Sequence, residues 1–217
     1  FQFTNTTIKI HQQMNFEELL NYRRSVRRYS ATPIDSEKVK QCLMQATLAP
    51  NSSNMQLWEF YHVTNPDKLK QLTVACLNQQ AAATAQQMVV FVTRQDLYRK
   101  RAAKMSELET VNVQQNRPKE KQEKRIKRWK LYYGTVMPFL YSRFLGIFGF
   151  FRKIMVIIIG LFRPITYQVS ENDMRVVVHK TCALAAQTFM LAMANQGYDT
   201  CPLEGFDSTK VKRILKL

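Results

Sequence analysis

The sequence predicts an α/β or α+β layer fold, from three observations. Strand patterns alternate with helical ones through the N-terminal half, a long apolar helix with its own start and stop signals lies near the C-terminus, and an excursion of different composition separates the two. The 217 residues suffice for one well-buried domain. An apolar fraction of 46% excludes a disordered chain, and six glycines are too few for a glycine-rich repeat or linker protein.

Asn15 to Tyr22 has a helical period. After a basic turn, Thr32-Pro33-Ile34-Asp35 caps a second amphipathic helix to about Leu48, with Val39, Leu43, Ala46 and Leu48 expected to face inward. The stretch APNSSNMQ is rich in turn formers and has no helical period, and Leu57 to Val63 alternates as a strand does. Asn65-Pro66-Asp67 opens a helix to about Asn78, an alanine-rich turn follows, and Met88 to Val92 is a short apolar run that predicts a buried strand.

Arg117 to Lys130 predicts a dense charged helix, and Val136 to Phe162 is strongly apolar apart from Arg143, Arg152 and Lys153. The uncharged pieces Phe144 to Phe151 and Ile154 to Phe162 each fall short of the ~20 residues a membrane span needs. Charge at Arg152 and Lys153 together with Gly146, Gly149 and Gly160 therefore predicts two short helices. From Ser170-Glu171-Asn172-Asp173 a capped helix runs to Gln196 and stops at Gly197; apolar on nearly every side, it belongs in a core or an interface. A loop, TCPLEGF, and a basic amphipathic helix complete the chain.

Thirty-two Lys and Arg oppose sixteen Asp and Glu, a formal charge of +16 that favours anionic partners. Arg94 to Lys130 holds thirteen basic and five acidic residues, half of that surplus. The basic residues compose no recognisable nucleic-acid reader, so no specific nucleic acid is expected. Cys42, Cys76, Cys182 and Cys201 lack CxxC spacing and sit singly in apolar stretches, as reduced thiols of a cytoplasmic protein do; neither a metal site nor a disulfide framework is expected. The opening FQFTNTTIKIHQQ has no charged start and apolar run of a secretory signal, and a start at Phe1 reads as a fragment or a processed product. There is no Ser-His-Asp or Cys-His pattern, and His179, on the apolar helix, reads as a satisfied histidine rather than a catalyst.

Arg23-Arg24-Ser25-Val26-Arg27-Arg28-Tyr29 gathers four guanidiniums and a hydroxyl, a set of forked donors suited to a phosphate; by itself it is equally a solvated basic turn. Taken in order with APNSSNMQLWEF and GYDTCPLEGF, it resembles the three flavin-binding segments of the nitroreductase family. The resemblance covers Asn15 to about Val92 and Ser170 to Leu217. It implies one FMN-binding domain over residues 1–217, a three-layer α/β/α sandwich about a mainly antiparallel sheet, with residues 98–168 as a basic and hydrophobic helical insertion. Members continue past the last helix into a further strand and a basic pair, so the chain is expected to be C-terminally truncated, with the last strand missing and FMN retention in question.

By the same resemblance, Arg23, Arg24, Ser25 and Arg27 hold the FMN phosphate and ribityl chain, Arg27 lying near the flavin N1 edge. A cation there attracts the negative charge of reduced flavin by about 4 kcal/mol at ~4 Å before desolvation. Pro50, Asn51, Ser52 and Asn54 are implied to reach the flavin from the other subunit of a homodimer. Asn78 stands where an amide meets the pyrimidine edge, although its ordinary reading is a helix cap. Pro202, Leu203, Glu204 and Gly205 resemble the loop whose backbone N–H groups face flavin N5 and O4. No side chain is then catalytic: FMN carries the chemistry, NADH or NADPH supplies electrons, and small electron-poor acceptors such as nitroaromatics or quinones take them in a ping-pong cycle. A specialised flavin enzyme (ene-reductase or dehalogenase) is the neighbouring alternative. The rival of another class is a basic protein of membrane surfaces or nucleic acid with a vestigial flavin site. The segment 117–162, with Trp129, Tyr132 and Tyr133 near an interface, would suit an acidic membrane surface, giving a cytoplasmic protein with a peripheral membrane contact; a solvated helix and hydrophobic cap is the plainer reading of the same segment.

Overall fold

The computed structural model describes residues 14–217; the N-terminal stretch read for a secretory signal lies outside them. The fold class is α+β, mostly helical with a small antiparallel sheet. The described residues form two compact units. The first comprises residues 14–42, Val63–Met88 and Phe189–Leu217, and the second Leu43–His62 and Val89–Thr188.

In the first unit, helix α1 (Phe16–Tyr22) begins at a reciprocal cap: Asn15 accepts from the backbone of Glu18, whose carboxylate accepts from the backbone of Asn15. Helix α2 (Ser36–Ala46) buries Val39, Cys42 and Ala46. It ends before Leu48, which is 82% exposed rather than inward, because a turn after Ala46 breaks the helical period. Helix α3 (Pro66–Ala75) is capped by Asn65 and stops short of Asn78, since Leu77 and Asn78 both take left-handed backbone conformations. The alanine-rich turn is helix α4 (Gln80–Thr84), with Ala81 and Ala82 buried.

Strands β1 (Trp58–Val63) and β2 (Met88–Thr93) pair with each other. Expected to be buried, β2 is half-buried along its whole length, having one strand neighbour among the described residues. Helix α5 (Tyr98–Asn116) and helix α6 (Lys119–Leu131) pack together, and α6 continues through a π-helical turn, Tyr132–Val136, into helix α7 (Met137–Tyr141). Helix α8 (Ile147–Gly160) follows, and helix α9 (Glu171–Asn195) starts at a cap in which Ser170 and Asp173 exchange hydrogen bonds. Helix α10 (Ser208–Leu215), capped by Asp207, packs on α3. In the second unit Met55, Leu57, Ala102, Met105, Tyr133, Met137, Tyr141, Met174 and Val178 form the main core.

Two helices do interrupt the apolar stretch, but the break falls at Ser142–Gly146, and α8 runs straight through Arg152 and Lys153. The reason is local. Arg152 is fully buried, donating from Nε to the carbonyl of Val169 (2.7 Å) and from Nη1 to those of Phe139 (2.7 Å) and Ser142 (3.0 Å). Gly149, on the same helix face, touches the start of α9 so closely that a Cβ would meet the Glu171 nitrogen at 2.8 Å. The Glu171 carboxylate accepts from the backbone of Phe144 and Gly146, which hold it below the usual carboxylate range.

Candidate functional site

The arginine turn in the first unit is fixed by backbone contacts that leave its guanidiniums without a carboxylate partner among the described residues. Arg23 ends α1, where the Tyr22 hydroxyl donates to the Gly197 carbonyl (3.0 Å). Ser25 forms a parallel bridge with Thr200, the Val26 amide donates to the Thr200 carbonyl (3.2 Å), and the Tyr29 amide donates to Thr84 Oγ1 (3.0 Å). Arg24, Arg27 and Arg28 are exposed and Arg23 is half-buried. Among the described residues none of the four pairs with a carboxylate, and Arg24 donates to the backbone carbonyls of Leu20 and Arg23. Neighbouring cations without counter-charge repel one another, an electrostatic cost that a bound anion offsets.

The bridge to Thr200 leads into the third segment, TCPLEGF. Thr200 has a buried hydroxyl with no hydrogen-bond partner among the described residues, a state buried polar groups rarely keep. Burial pushes the Tyr29 hydroxyl well above its ordinary range, with Cys201 and Asp199 adding to it, so it remains a donor at neutral pH. Beyond lie Pro202, Glu204 and Gly205, all exposed, and Leu203, half-buried. Gln79 Nε2 donates to the Gly205 carbonyl (2.6 Å) and the Asp207 amide to that of Ala75 (2.8 Å). Asn78, left-handed at φ 53° with its amide bonded to the Thr73 carbonyl, adjoins Gln79 and has an exposed side chain. The first unit thus joins the arginine turn to the Thr200 segment, and the Asn78 turn to the Gly205 peptide.

Pro50, Asn51, Ser52 and Asn54 belong to the second unit, which shapes their loop with its own groups. Asn51 Oδ1 accepts from the Gln56 amide (2.9 Å), and Asn54 Oδ1 from Gln56 Nε2 (3.1 Å). Ser53, Asn54 and Gln56 all have positive φ, which costs a side-chain-bearing residue roughly 1 kcal/mol or more each. Tyrosines from the π-helical turn offset it. The Tyr132 hydroxyl lies 2.7 Å from Ser53 Oγ, and Tyr133 donates to the Ser53 carbonyl (3.0 Å).

These contacts correct the expectation that Trp129, Tyr132 and Tyr133 face a membrane. Tyr133 is buried, Trp129 stacks on it at 5.6 Å, and Arg125 covers the indole at 4.9 Å. Replacing Tyr132 and Tyr133 together by phenylalanine is expected to remove about 2 kcal/mol of stability, at ~1 kcal/mol for each hydrogen bond. Urea unfolding measures this; an unchanged midpoint would mean that the loop holds its shape without them.

Sequence reasoning missed Thr200, Gln79 and the hold of Tyr132 and Tyr133 on the loop. Gln79 could have been noticed as a second amide beside Asn78, whereas nothing local marks the others. His179 is exposed, its Nδ1 2.8 Å from the Arg175 carbonyl one turn back, and is far from a catalytic arrangement of its own. The four cysteines are unpaired, and burial pushes the Cys182 thiol up to about 11.

A methyl group on Gly205 would stand 3.7 Å from Gln79 Nε2, an ordinary contact, so the protein's own packing does not demand glycine there. Unpaired guanidiniums, an orphaned hydroxyl and an open glycine peptide fit a ligand that combines a phosphate with a flat, hydrogen-bonding ring.

Comparison with known proteins gives the family. The family model described as the nitroreductase family matches residues 20–217. MhqN of Bacillus subtilis, which carries the name of an NAD(P)H nitroreductase, is 24% identical over 203 residues, covering 93% of this chain and 81% of that protein. The solved nitroreductase family protein of Streptococcus pneumoniae TIGR4 superposes with a TM-score of 0.66 at 23% identity, over 94% of this chain and 83% of that one. A protein of Exiguobacterium sibiricum, solved in complex with FMN, superposes with a TM-score of 0.62 at 19% identity, over 94% and 81%. The match over nearly the whole chain places it: this protein is an oxidoreductase-type member of the nitroreductase family.

Proposed function

We propose that the protein is an FMN-dependent oxidoreductase that moves electrons from NADH or NADPH to small electron-poor acceptors such as nitroaromatics or quinones in a ping-pong cycle. The observation that carries this reading is the arginine turn: four guanidiniums without counter-charge among the described residues, bonded through Ser25 and Val26 to Thr200, whose hydroxyl lacks a partner among them. When bound, FMN supplies the electron transfer, from reduced nicotinamide to the acceptor. Arg23 and Arg24 would neutralise the phosphate, Ser25 would hydrogen-bond the ribityl chain, and Arg27 would favour negative charge at the ring edge. Pro202, Leu203, Glu204 and Gly205 would present backbone donors to the ring, and the exposed Asn78 amide would meet its pyrimidine edge.

Pro50, Asn51, Ser52 and Asn54 would complete the site of a partner subunit in a homodimer, with the exposed Val176 and Leu184 of α9 supplying apolar surface for association. The site is cytoplasmic in this reading, where NAD(P)H is available and thiols stay reduced.

Purified protein reconstituted with FMN should be yellow, release FMN on denaturation, bleach on anaerobic addition of NADH or NADPH, and regain colour with a nitroaromatic or quinone. A colourless, monomeric product after reconstitution would overturn the reading. Gly205→Ala gives a sharper check: its melting temperature should match that of the parent while its FMN affinity falls, and equal affinity would remove the Gly205 peptide from the site.

A further inference from the structure

Helix α8 is turned inside out. Its protein-facing side carries Gly149, Arg152 and Val156, all buried, with the guanidinium enclosed by backbone carbonyls. Its outward side carries Ile147, Phe148, Phe150, Phe151, Ile154, Met155, Ile157 and Ile158, each at least 40% exposed. At 3.6 residues per turn these side chains cover about half of the helix circumference without a polar interruption. Phe144, Leu145, Leu161 and Phe162 extend the same surface beyond both ends. Water does not favour so much contiguous apolar area on a soluble monomer.

The surroundings of α8 identify what covers it. Arg143 and Arg163 bracket the helix and are exposed, Lys153 lies at its edge, and no acidic residue occurs between Arg143 and Arg163. From Arg117 to Arg163 there are twelve basic and two acidic residues, a net of +10 in a chain of +16. A second copy brought against this face would present the same cations, whereas an anionic lipid surface offers both acyl chains for the aromatic and aliphatic side chains and headgroup phosphates for the bracketing arginines. Fourteen helical residues extend about 21 Å, short of the ~30 Å hydrocarbon core, so the helix lies in the plane of the interface rather than crossing it.

We propose that α8 and its flanks, Phe144 to Phe162, form a docking surface for an anionic lipid membrane, with Phe151 and Ile158 at the centre of the inserted face and Arg143 and Arg163 at its rim. Arg152 serves this surface from behind, tying the helix to carbonyls of Phe139, Ser142 and Val169 so that its apolar side is held outward.

The full-length protein is tested by co-sedimentation with phosphatidylcholine vesicles with and without phosphatidylglycerol, at low and high salt. Pelleting should rise roughly tenfold or more with the anionic lipid and fall with salt. Phe151→Asp with Ile158→Asp, both at outward positions, should abolish pelleting while the urea midpoint stays unchanged; Phe151→Leu with Ile158→Leu should preserve it. Absence of pelleting on either vesicle, pelleting indifferent to both substitutions, or a vesicle-free oligomer that the aspartate pair dissociates would overturn the proposal, the last by assigning the face to a second copy. The result is independent of the flavin reading: a colourless protein that binds vesicles retains the membrane surface, and a yellow protein that ignores them retains only the cofactor.

Discussion

Arg152→Ala is expected to cost about 3–5 kcal/mol of folding stability, the largest effect of any single substitution outside the candidate site. The side chain is fully buried and donates to three carbonyls and, at 3.3 Å, to Ser142 Oγ. Truncation leaves those acceptors facing a cavity with neither protein nor a fixed geometry for water. Burial lowers the affinity of the guanidinium for its proton and the nearby Glu171 charge raises it, yet an arginine keeps its charge through this range. Arg152→Lys retains the charge but presents a single point of donation in place of a fork, so an intermediate loss follows. Urea unfolding of the three proteins gives the order; equal midpoints would show that the carbonyls are satisfied some other way.

The second large effect concerns the arginine turn. On the proposed function, Arg23→Ala and Arg24→Ala each raise the FMN Kd by roughly tenfold to a hundredfold, since a hydrogen bond to a charged group contributes about 1.5–3 kcal/mol. The folded protein should not suffer, because neither guanidinium pairs with a carboxylate among the described residues. Relief of repulsion would leave the melting temperature equal or slightly raised. Arg27→Lys separates charge from geometry: the cation survives and the fork is lost, so affinity falls less than in Arg27→Ala. Flavin titration of apo-protein, read by fluorescence quenching, measures all four. Unchanged affinity in the Arg23 and Arg24 variants would leave the turn a solvated basic surface.

Two helix caps were legible in the sequence because every group in them lies within three residues: Asp35, whose carboxylate accepts from the Glu37 amide at the start of α2, and Ser170 with Asp173. Strand and helix periods placed β1, β2, α3 and α9 for the same local reason. Arg152 was illegible. In one dimension a charge within an apolar run reads as an interruption, and its acceptors are backbone carbonyls, which any residue type possesses. Leu48 failed through extrapolating a period beyond the turn at Ala46, and Trp129, Tyr132 and Tyr133 through treating aromatics beside lysines as an interface. Of the candidate site, the residue types and their order were readable. The joining of Ser25 to Thr200 and of Gln79 to Gly205 spans well over a hundred residues, and no local pattern encodes it.

The tyrosine grip on Ser53 makes the excursion from Tyr98 to Gln168 a brace as well as an appendage. A slimmed protein engineered by splicing that excursion out would forfeit the hydroxyls that hold Ser53, the first of three residues of the asparagine loop in the unfavourable hand. Minimal scaffolds cut from this chain should therefore carry the helical run through Tyr141 along with the loop, as one transplantable piece.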